Sequence, residues 1–182
     1  MTTRRQQIID TAAELFAARG FHGVSVHDIG AACGVSGPAL YKHFRGKDAL
    51  LTQVLTSIGG QLLEEARSRI ETTTSPDEAL DALIERHVDF ATTHPWSVVA
   101  QEREWSNLDR AGRETVGKLQ LAYIELWVGA LSALRPDLDR STAHAAVQGT
   151  FALISAAPHS VDLEGADLRA LRVRMARGAL LC

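Results

Sequence analysis

The sequence has few cysteines and few aromatic residues, and it has no long apolar run. Its only cysteines, Cys33 and Cys182, are too few and too far apart for a disulfide framework or a metal cluster. No apolar stretch approaches the roughly 20 residues that a membrane-spanning helix needs. The N-terminal segment contains Gln6, Gln7 and Asp10, unlike the apolar core of a signal peptide. We therefore expect a soluble cytoplasmic protein with reduced thiols, no bound metal and no membrane association.

Charge is unevenly distributed along the chain, although the net charge is only −3. Residues 1–50 contain six basic and four acidic residues, whereas the remainder contains 13 basic and 18 acidic residues. Because attraction to phosphate is short-ranged in salt, local charge decides where a polyanion binds. The N-terminal part is therefore the part that would meet a nucleic acid.

The sequence also lacks the alternating pattern that is typical of β-strands. Apolar residues recur at spacings of three and four almost throughout, and nowhere do β-branched or aromatic residues alternate between turn signals. The predicted fold class is therefore all-α. The expected helices lie at about residues 3–19, 26–33, 36–44, 47–72, 77–93, 96–107, 111–134, 139–157 and 165–180.

Capping and turn signals set the boundaries of these helices. Ser25 and Asp28 resemble a capping box, and Gly20 and Gly34 suit the left-handed turns that end helices. Gly59-Gly60, inside the long helix at about 47–72, predicts a bend or a weak point. The chain is predicted to contain a three-helix head at 1–46 and a helical bundle at 47–182, which begins with that long connecting helix.

One motif identifies a family. Residues 26–51, VHDIGAACGVSGPALYKHFRGKDALL, resemble the DNA-binding signature of the TetR family. The most recognisable part is LYKHF at 40–44, followed by Lys47; the preceding AACGVS also matches, although Cys33 stands where the family often has another small residue. The resemblance implies a helix-turn-helix whose second helix enters the major groove of operator DNA. It further implies a C-terminal bundle that binds a small effector and pairs with a second subunit.

The motif contains the side chains expected to contact DNA. Tyr41 and His43 can donate hydrogen bonds to phosphate, and Lys42 can donate to phosphate or guanine. The alternatives are a core tyrosine, a structural histidine and a solvated lysine. Lys47 would begin the long helix near a backbone phosphate, where its charge adds to that of the backbone N–H groups.

Other positions are expected to support these contacts. Ser25 and Ser36 can cap helices and touch phosphate, although capping alone explains both. Gly37 offers no side chain to the bases, so specificity is expected from Ala39, Lys42 and an N-terminal arm formed by Arg4 and Arg5. The complete predicted DNA-binding set is Arg4, Arg5, Ser25, Ser36, Gly37, Ala39, Tyr41, Lys42, His43 and Lys47.

Aromatic residues concentrate in the middle of the chain, where they suit an apolar pocket with a few polar groups. An ordinary aromatic core is the competing interpretation. Residues 102–105 with Tyr123 and Trp127 are reminiscent of TetR relatives that respond to acyl-CoA thioesters; there, Arg103 or His87 would meet a phosphate or thioester group. The predicted ligand-binding set is His87, Phe90, Trp96, Arg103, Trp105, Gln120, Tyr123, Trp127 and Phe151.

The C-terminal helices carry a predicted dimer interface. Residues 141–157 are mostly small, which permits close approach of another helix, and Leu168, Leu171, Met175 and Leu180 would complete a four-helix contact. A homodimer also supplies the spacing between half-sites that major-groove recognition needs.

Catalytic signatures are missing from the sequence. His87 and His94 are seven residues apart, not the four that place two metal ligands on one helix face, and no HExxH, GxSxG, Walker or GxGxxG pattern occurs. We expect no enzyme activity and no cofactor, and we expect Cys33 to pack rather than to sense redox state. The predicted function is a repressor whose operator binding is relieved by an apolar or acyl-type ligand that tilts the long helix. An activator and a protein-binding adaptor are the alternatives.

Overall fold

The computed structural model describes residues 3–94, 104–156 and 165–182, and these contain helices and no strand. The all-α prediction is confirmed. The α-helices are α1 (Arg4–Arg19), α2 (Val26–Cys33), α3 (Gly37–Tyr41), α4 (Lys47–Glu71), α5 (Pro76–Thr93), α6 (Arg110–Leu134), α7 (Arg140–Ser155) and α8 (Gly165–Leu181). A short 3-10 helix occupies Trp105–Asn107.

Side-chain caps begin most of these helices where the sequence predicted a start. Thr3, Ser25, Ser36, Ser75 and Asp139 each accept a hydrogen bond from the backbone N–H three residues later. Such bonds satisfy amide groups that have no partner inside the helix. Local chemistry therefore fixes the helix starts.

Three predicted features of the helices differ from the structure or are not tested by it. The third helix was expected to reach Phe44, but regular helix ends at Tyr41, and residues 42–43 form a turn in which His43 N–H bonds to Leu40 O at 2.9 Å. α4 is continuous through Gly59 and Gly60, and the bend or weak point expected there stays a prediction. Of the helix expected at 96–107, residues 96–103 lie outside the described residues.

Contacts between Cα atoms divide the chain into two units. One contains described residues 3–60 and 104–119, and the other contains 61–94, 120–156 and 165–182. The helices α4 and α6 each contribute residues to both units. The predicted functional boundary at residue 46 stays a prediction.

The first unit has a core of aliphatic and phenylalanine side chains. α1 packs on α2, and α2 packs on α3. The buried side chains come from these helices, from the segments that follow α1 and α3, and from the start of α4. They include Ile8, Ala12, Phe16, Phe21, Ile29, Leu40, Phe44, Leu50, Leu51 and Val54. Burial of each large side chain contributes about 1.5–3 kcal/mol, which offsets much of the cost of ordering the short α2 and α3.

In the second unit α5, α7 and α8 pack together, and arginines of α8 reach acidic residues of α5. Arg169 Nε donates to Asp89 Oδ1 at 2.6 Å. Arg177 donates to Asp77 Oδ1 at 2.8 Å and also bonds to Asp81. Because the acidic residues are spaced by multiples of four, they lie along one face of α5. The periodicity of the sequence did not reveal these pairings.

None of the described helices combines the length and the apolar character needed to cross a bilayer. Within the described ranges, no group of three or more His, Cys, Asp or Glu side chains is placed to hold a metal ion.

Candidate DNA-binding surface and aromatic cluster

The turn between α2 and α3 is built around Gly34. This glycine has φ +66° and ψ +36°, a left-handed conformation that side chains disfavour. Its N–H bonds to Ala31 O at 3.2 Å, and the Val35 N–H bonds to Gly30 O at 2.9 Å. The chain therefore ends α2 and begins α3 within three residues, as a helix-turn-helix requires.

The residues of α3 and the following turn alternate between core and solvent. Leu40 is fully buried and Phe44 is 4% exposed, whereas Tyr41 is 56% exposed. Lys42 and His43 are also exposed. Within the described part of the chain, Tyr41, Lys42 and His43 make no side-chain hydrogen bond or ion pair. The buried Leu40 and Phe44 thus fix the segment in the core, so that the three polar side chains between them lie together on one surface.

Lys47 already has partners inside the first unit. Its ammonium donates to Phe21 O at 2.9 Å and to Val24 O at 3.0 Å, and it lies 4.2 Å from the centroid of the Phe21 ring. These contacts link the start of α4 to the turn between α1 and α2. The side chain of Lys47 therefore holds the head together, a role that the sequence pattern did not indicate.

Arg4 and Arg5 are the first residues of α1, not an extended arm. Arg4 Nη2 donates to Gly34 O at 3.3 Å, beside the turn before α3. Arg5 Nη2 donates to Gln53 Oε1 at 2.5 Å, and its guanidinium lies 5.1 Å from the Phe44 ring centroid. Arg4 and Arg5 therefore do not form the predicted arm, because helical hydrogen bonding begins directly after the Thr3 cap. Both side chains remain exposed.

The capping box at the start of α2 is confirmed. Asp28 N–H donates to Ser25 Oγ at 3.1 Å, and Ser25 N–H donates to Asp28 Oδ2 at 2.8 Å. Hydrogen bonds from the Ser25 hydroxyl and backbone N–H hold the pKa of Asp28 below its ordinary value. Ser36 caps α3 through a single hydrogen bond, which its Oγ accepts from Ala39 N–H at 3.4 Å. Ala39 is half-buried, and Cys33 is a half-buried free thiol.

A separate cluster of aromatic side chains lies inside the second unit. The ring of His87 in α5 stacks on Phe151 with centroids 4.4 Å apart and lies 5.7 Å from Tyr123. Trp127 meets Phe151 edge-on at 4.9 Å, and Phe90 lies 6.4 Å from His87. We call these five residues the aromatic cluster. Edge-on and stacked pairs at these distances are favourable beyond their burial.

Burial sets the protonation states inside the aromatic cluster. His87 is 6% exposed, and burial with the nearby Arg86 charge lowers its pKa to about 3. The imidazole is therefore neutral near pH 7. Its Nδ1 lies 3.1 Å from the Tyr123 hydroxyl, whose pKa is raised by burial.

Three buried nitrogen atoms around the aromatic cluster lack hydrogen-bond partners among the described residues. They are His87 Nε2, Trp127 Nε1 and Arg86 Nε. The Arg86 guanidinium, which is 7% exposed in total, pairs through Nη2 with Glu65 at 2.5 Å. A buried polar group without a partner is costly, so each of these atoms needs an explanation. Sequence reasoning missed Arg86 and Glu65, because a charged residue in an amphipathic helix is normally assigned to the solvent face.

The structure brings together only part of the predicted ligand-binding set. His87, Phe90, Tyr123, Trp127 and Phe151 form the aromatic cluster. Trp105 belongs to the first unit, where its ring lies near Gly117. Gln120 is half-buried in the second unit. Two predicted residues, Trp96 and Arg103, lie outside the described residues.

The chain is similar in sequence to known proteins. Residues 8–54 match the family model described as bacterial regulatory proteins, tetR family. The transcriptional repressor KstR2 of Rhodococcus jostii is 29% identical over 143 residues, which cover 75% of this chain and 70% of that protein. The matched family segment contains the turn at Gly34 and the exposed run that follows it.

Solved structures show the same fold. A TetR-family transcriptional regulator from Bordetella parapertussis has a TM-score of 0.82 and 27% identity, over 97% of this chain and 93% of that chain. The structure of AibR in complex with isovaleryl coenzyme A and operator DNA has a TM-score of 0.79 and 23% identity, over 95% and 97% of the two chains.

Proposed function

Because this chain belongs to the TetR family of transcriptional regulators, we propose that it is a repressor whose operator binding is relieved by a small apolar or acyl-type ligand. As a member of this family the protein is a DNA-binding regulator and not an enzyme. A regulator of transcription works where the DNA is, so we place it in the cytoplasm.

The exposed Tyr41-Lys42-His43 run carries the DNA-binding part of the proposal. Its three side chains stand on the solvent side of α3 and the turn after it, while Leu40 and Phe44 hold this segment in the core. A tyrosine hydroxyl, an ammonium and an imidazole can all donate to phosphate, and the ammonium can also donate to guanine. Arg4, Arg5, Ser25, Ser36, Gly37 and Ala39 are proposed to support these contacts.

Lys47 enters the proposal through its backbone. Its ammonium is held by two carbonyl oxygens, so the group left for a phosphate is the N-terminal amide of α4. Lys42 is the lysine of this surface whose ammonium has no hydrogen-bond or ion-pair partner within the described ranges.

Selection from a pool of random DNA duplexes tests the proposed DNA binding. We expect enrichment of a two-fold symmetric sequence, and we expect Tyr41→Ala to weaken binding to the selected duplex by about tenfold or more. Leu121→Ala is the matched control, because Leu121 is 52% exposed and lies on α6. Equal affinity of wild type and Tyr41→Ala would remove Tyr41 from the interface.

The aromatic cluster supports the ligand-binding part of the proposal. It combines a continuous set of rings with buried nitrogen atoms that have no partner among the described residues, and small-molecule pockets often have this composition. AibR was solved with isovaleryl coenzyme A, so acyl-CoA thioesters are the first class to test here. A series of acyl-CoAs of increasing chain length should raise the melting temperature of the protein at one or more lengths. No rise at any length would contradict an acyl-CoA effector.

We further propose a homodimer formed through α7 and α8. Several exposed positions on α7 are small, including Ser141, Ala145, Gly149 and Ala152. Met175 of α8 is 47% exposed. Leu180, which the sequence pattern assigned to this interface, is instead only 1% exposed within a single chain. The apolar spacing could not distinguish a contact inside the chain from one between chains.

Two glycine substitutions test the dimer. A Cβ atom at Gly149 or at Gly129 would have open space within its own chain. Gly149→Leu should therefore raise the dimer dissociation constant in sedimentation by about tenfold or more through steric overlap, while Gly129→Leu on α6 should not. A wild-type monomer at micromolar concentration, or equal behaviour of the two variants, would contradict this interface.

A further inference from the structure

The unpartnered atoms of the aromatic cluster indicate the chemistry of its ligand. We propose that His87 and Trp127 donate hydrogen bonds to the uncharged carbonyl oxygen of a ligand whose remaining body is apolar. This inference rests on the proposed function, because it assumes that the second unit binds a ligand. It adds the chemical group that the protein recognises and the side chains that recognise it.

The hydrogen bond to Tyr123 decides which proton His87 carries. Neutral imidazole has one donor and one acceptor nitrogen. The Tyr123 hydroxyl lies 3.1 Å from His87 Nδ1 and has no other acceptor within the described part of the chain, so we assign the hydroxyl as the donor of this hydrogen bond. The proton of the imidazole then lies on Nε2, which makes the unpartnered atom a donor.

The second unpartnered atom is a donor by its chemistry. An indole Nε1–H donates and cannot accept, and the Trp127 side chain is fully buried. The centroids of the His87 and Trp127 rings lie 5.8 Å apart, with the ring planes at 85°, and both rings contact Phe151. One oxygen that accepts two hydrogen bonds of about 2.9 Å joins donor atoms no more than about 5.8 Å apart, so the proposal requires the two nitrogen atoms to lie within that distance. A carbonyl oxygen accepts two hydrogen bonds and donates none, so it matches two donors better than a hydroxyl does.

Charge around the aromatic cluster favours an uncharged ligand group. The imidazole is neutral, and the Arg86 guanidinium is already paired with Glu65 at 2.5 Å. Among the described residues, this buried region offers a ligand carboxylate no cation that lacks a carboxylate partner, and burial of an unpaired charge is costly. The rings of Phe90, Tyr123 and Phe151 supply apolar contact for the rest of the ligand.

Four probes of similar length test the proposal on the wild-type protein by isothermal titration calorimetry. S-ethyl pentanethioate and 2-octanone carry an uncharged carbonyl, ethyl pentyl sulfide lacks the oxygen, and octanoate is charged. We expect at least one carbonyl probe to bind about tenfold more tightly than the sulfide and the carboxylate. Comparison of the thioester with the ketone shows which source of the carbonyl the protein prefers.

Two variants and one spectroscopic signal locate the donors. His87→Phe and Trp127→Phe keep an aromatic ring and remove one donor each, so each should reduce the preference for the carbonyl over the sulfide several-fold. In wild type, the infrared carbonyl band of the bound probe should move to lower frequency, as expected for an accepted hydrogen bond. The shift should become smaller in each variant. Measurement of the band position keeps the test valid if a variant is only marginally stable.

The outcomes separate this inference from the proposed function. If the sulfide binds as tightly as both carbonyl probes, or if the band does not move, the recognition of a carbonyl is wrong while a ligand site stands. If no probe binds but an acyl-CoA raises the melting temperature, the inference also fails and the effector site stands. If neither the probes nor any acyl-CoA bind, both the inference and the proposed acyl effector are wrong.

Discussion

The polar side chains of the helix-turn-helix and those of the aromatic cluster lie in opposite environments. Tyr41, Lys42 and His43 are exposed, and within the described chain their side chains have no hydrogen-bond or ion-pair partner. His87 and Trp127 are buried, and one nitrogen of each has no hydrogen-bond partner among the described residues. An exposed group without a partner is solvated by water and costs nothing, whereas a buried one destabilises the fold. The first arrangement suits a large polar surface such as DNA, and the second suits a small molecule.

The largest expected effect is the loss of Trp127. Its side chain is fully buried among the rings of the aromatic cluster, so Trp127→Ala should lower the free energy of unfolding by about 3–5 kcal/mol. Urea denaturation measures this loss. Leu121→Ala on the same helix should change it by less than about 0.5 kcal/mol. A loss below about 1 kcal/mol for Trp127→Ala would mean that the cluster is not part of the packed core.

The second effect separates structural from DNA-binding lysines. Lys47→Met removes two hydrogen bonds from an ammonium, so the head should lose about 1.5–3 kcal/mol of stability. The slope of log affinity against log salt for the selected duplex should stay unchanged. Lys42→Met should do the reverse: stability stays constant, and the slope falls by about 0.9 for the lost phosphate contact. A reduced slope for Lys47→Met would show that its ammonium binds phosphate.

The third effect concerns the cap of α2 and depends on pH. Ser25→Ala should cost about 1 kcal/mol at neutral pH through the lost side-chain cap. Because Ser25 lowers the pKa of folded Asp28, the ionised carboxylate stabilises the fold above the ordinary pKa, and this contribution disappears as the pH falls through the lowered pKa. The difference between wild type and Ser25→Ala should therefore shrink below about pH 4. A difference that is constant from pH 7 to pH 3 would contradict the role of Asp28.

The smallest effect is expected for an exposed ion pair. Arg110 lies 3.4 Å from Glu114, and its side chain is 92% exposed. Arg110→Ala should change the free energy of unfolding by no more than about 0.5 kcal/mol. A larger change, measured by the same urea denaturation, would show that exposed polar contacts contribute more to folding than we infer from the comparison.

The two regions also differ in how far the sequence could predict them. In the head, Gly34 and the Ser25 capping box are local signals, and the structure confirms both. The position of the Lys47 ammonium was not predictable in this way. Its carbonyl partners at Phe21 and Val24 are more than 20 residues away, and their backbone atoms leave no trace in the residue types.

For the second unit the sequence predicted a ligand-binding set rich in aromatic residues, and the structure shows which of these residues are in contact. Helical periodicity indicates the buried face of a helix but not the facing residue, so the cluster of His87, Tyr123 and Phe151 required coordinates. Leu180 shows the same limit, since an apolar stripe indicates that a helix face is buried but not which element covers it. The pairing of Arg86 with Glu65 joins two helices and has no local signal.

The most direct test of the account is whether a ligand in the second unit changes the affinity for DNA. Fluorescence anisotropy gives the dissociation constant of the selected duplex at fixed salt, with and without an acyl-CoA that raises the melting temperature. A ligand that favours the state with low DNA affinity should raise this constant by about 5- to 150-fold. An unchanged dissociation constant at saturating ligand would contradict the central claim that ligand binding relieves operator binding.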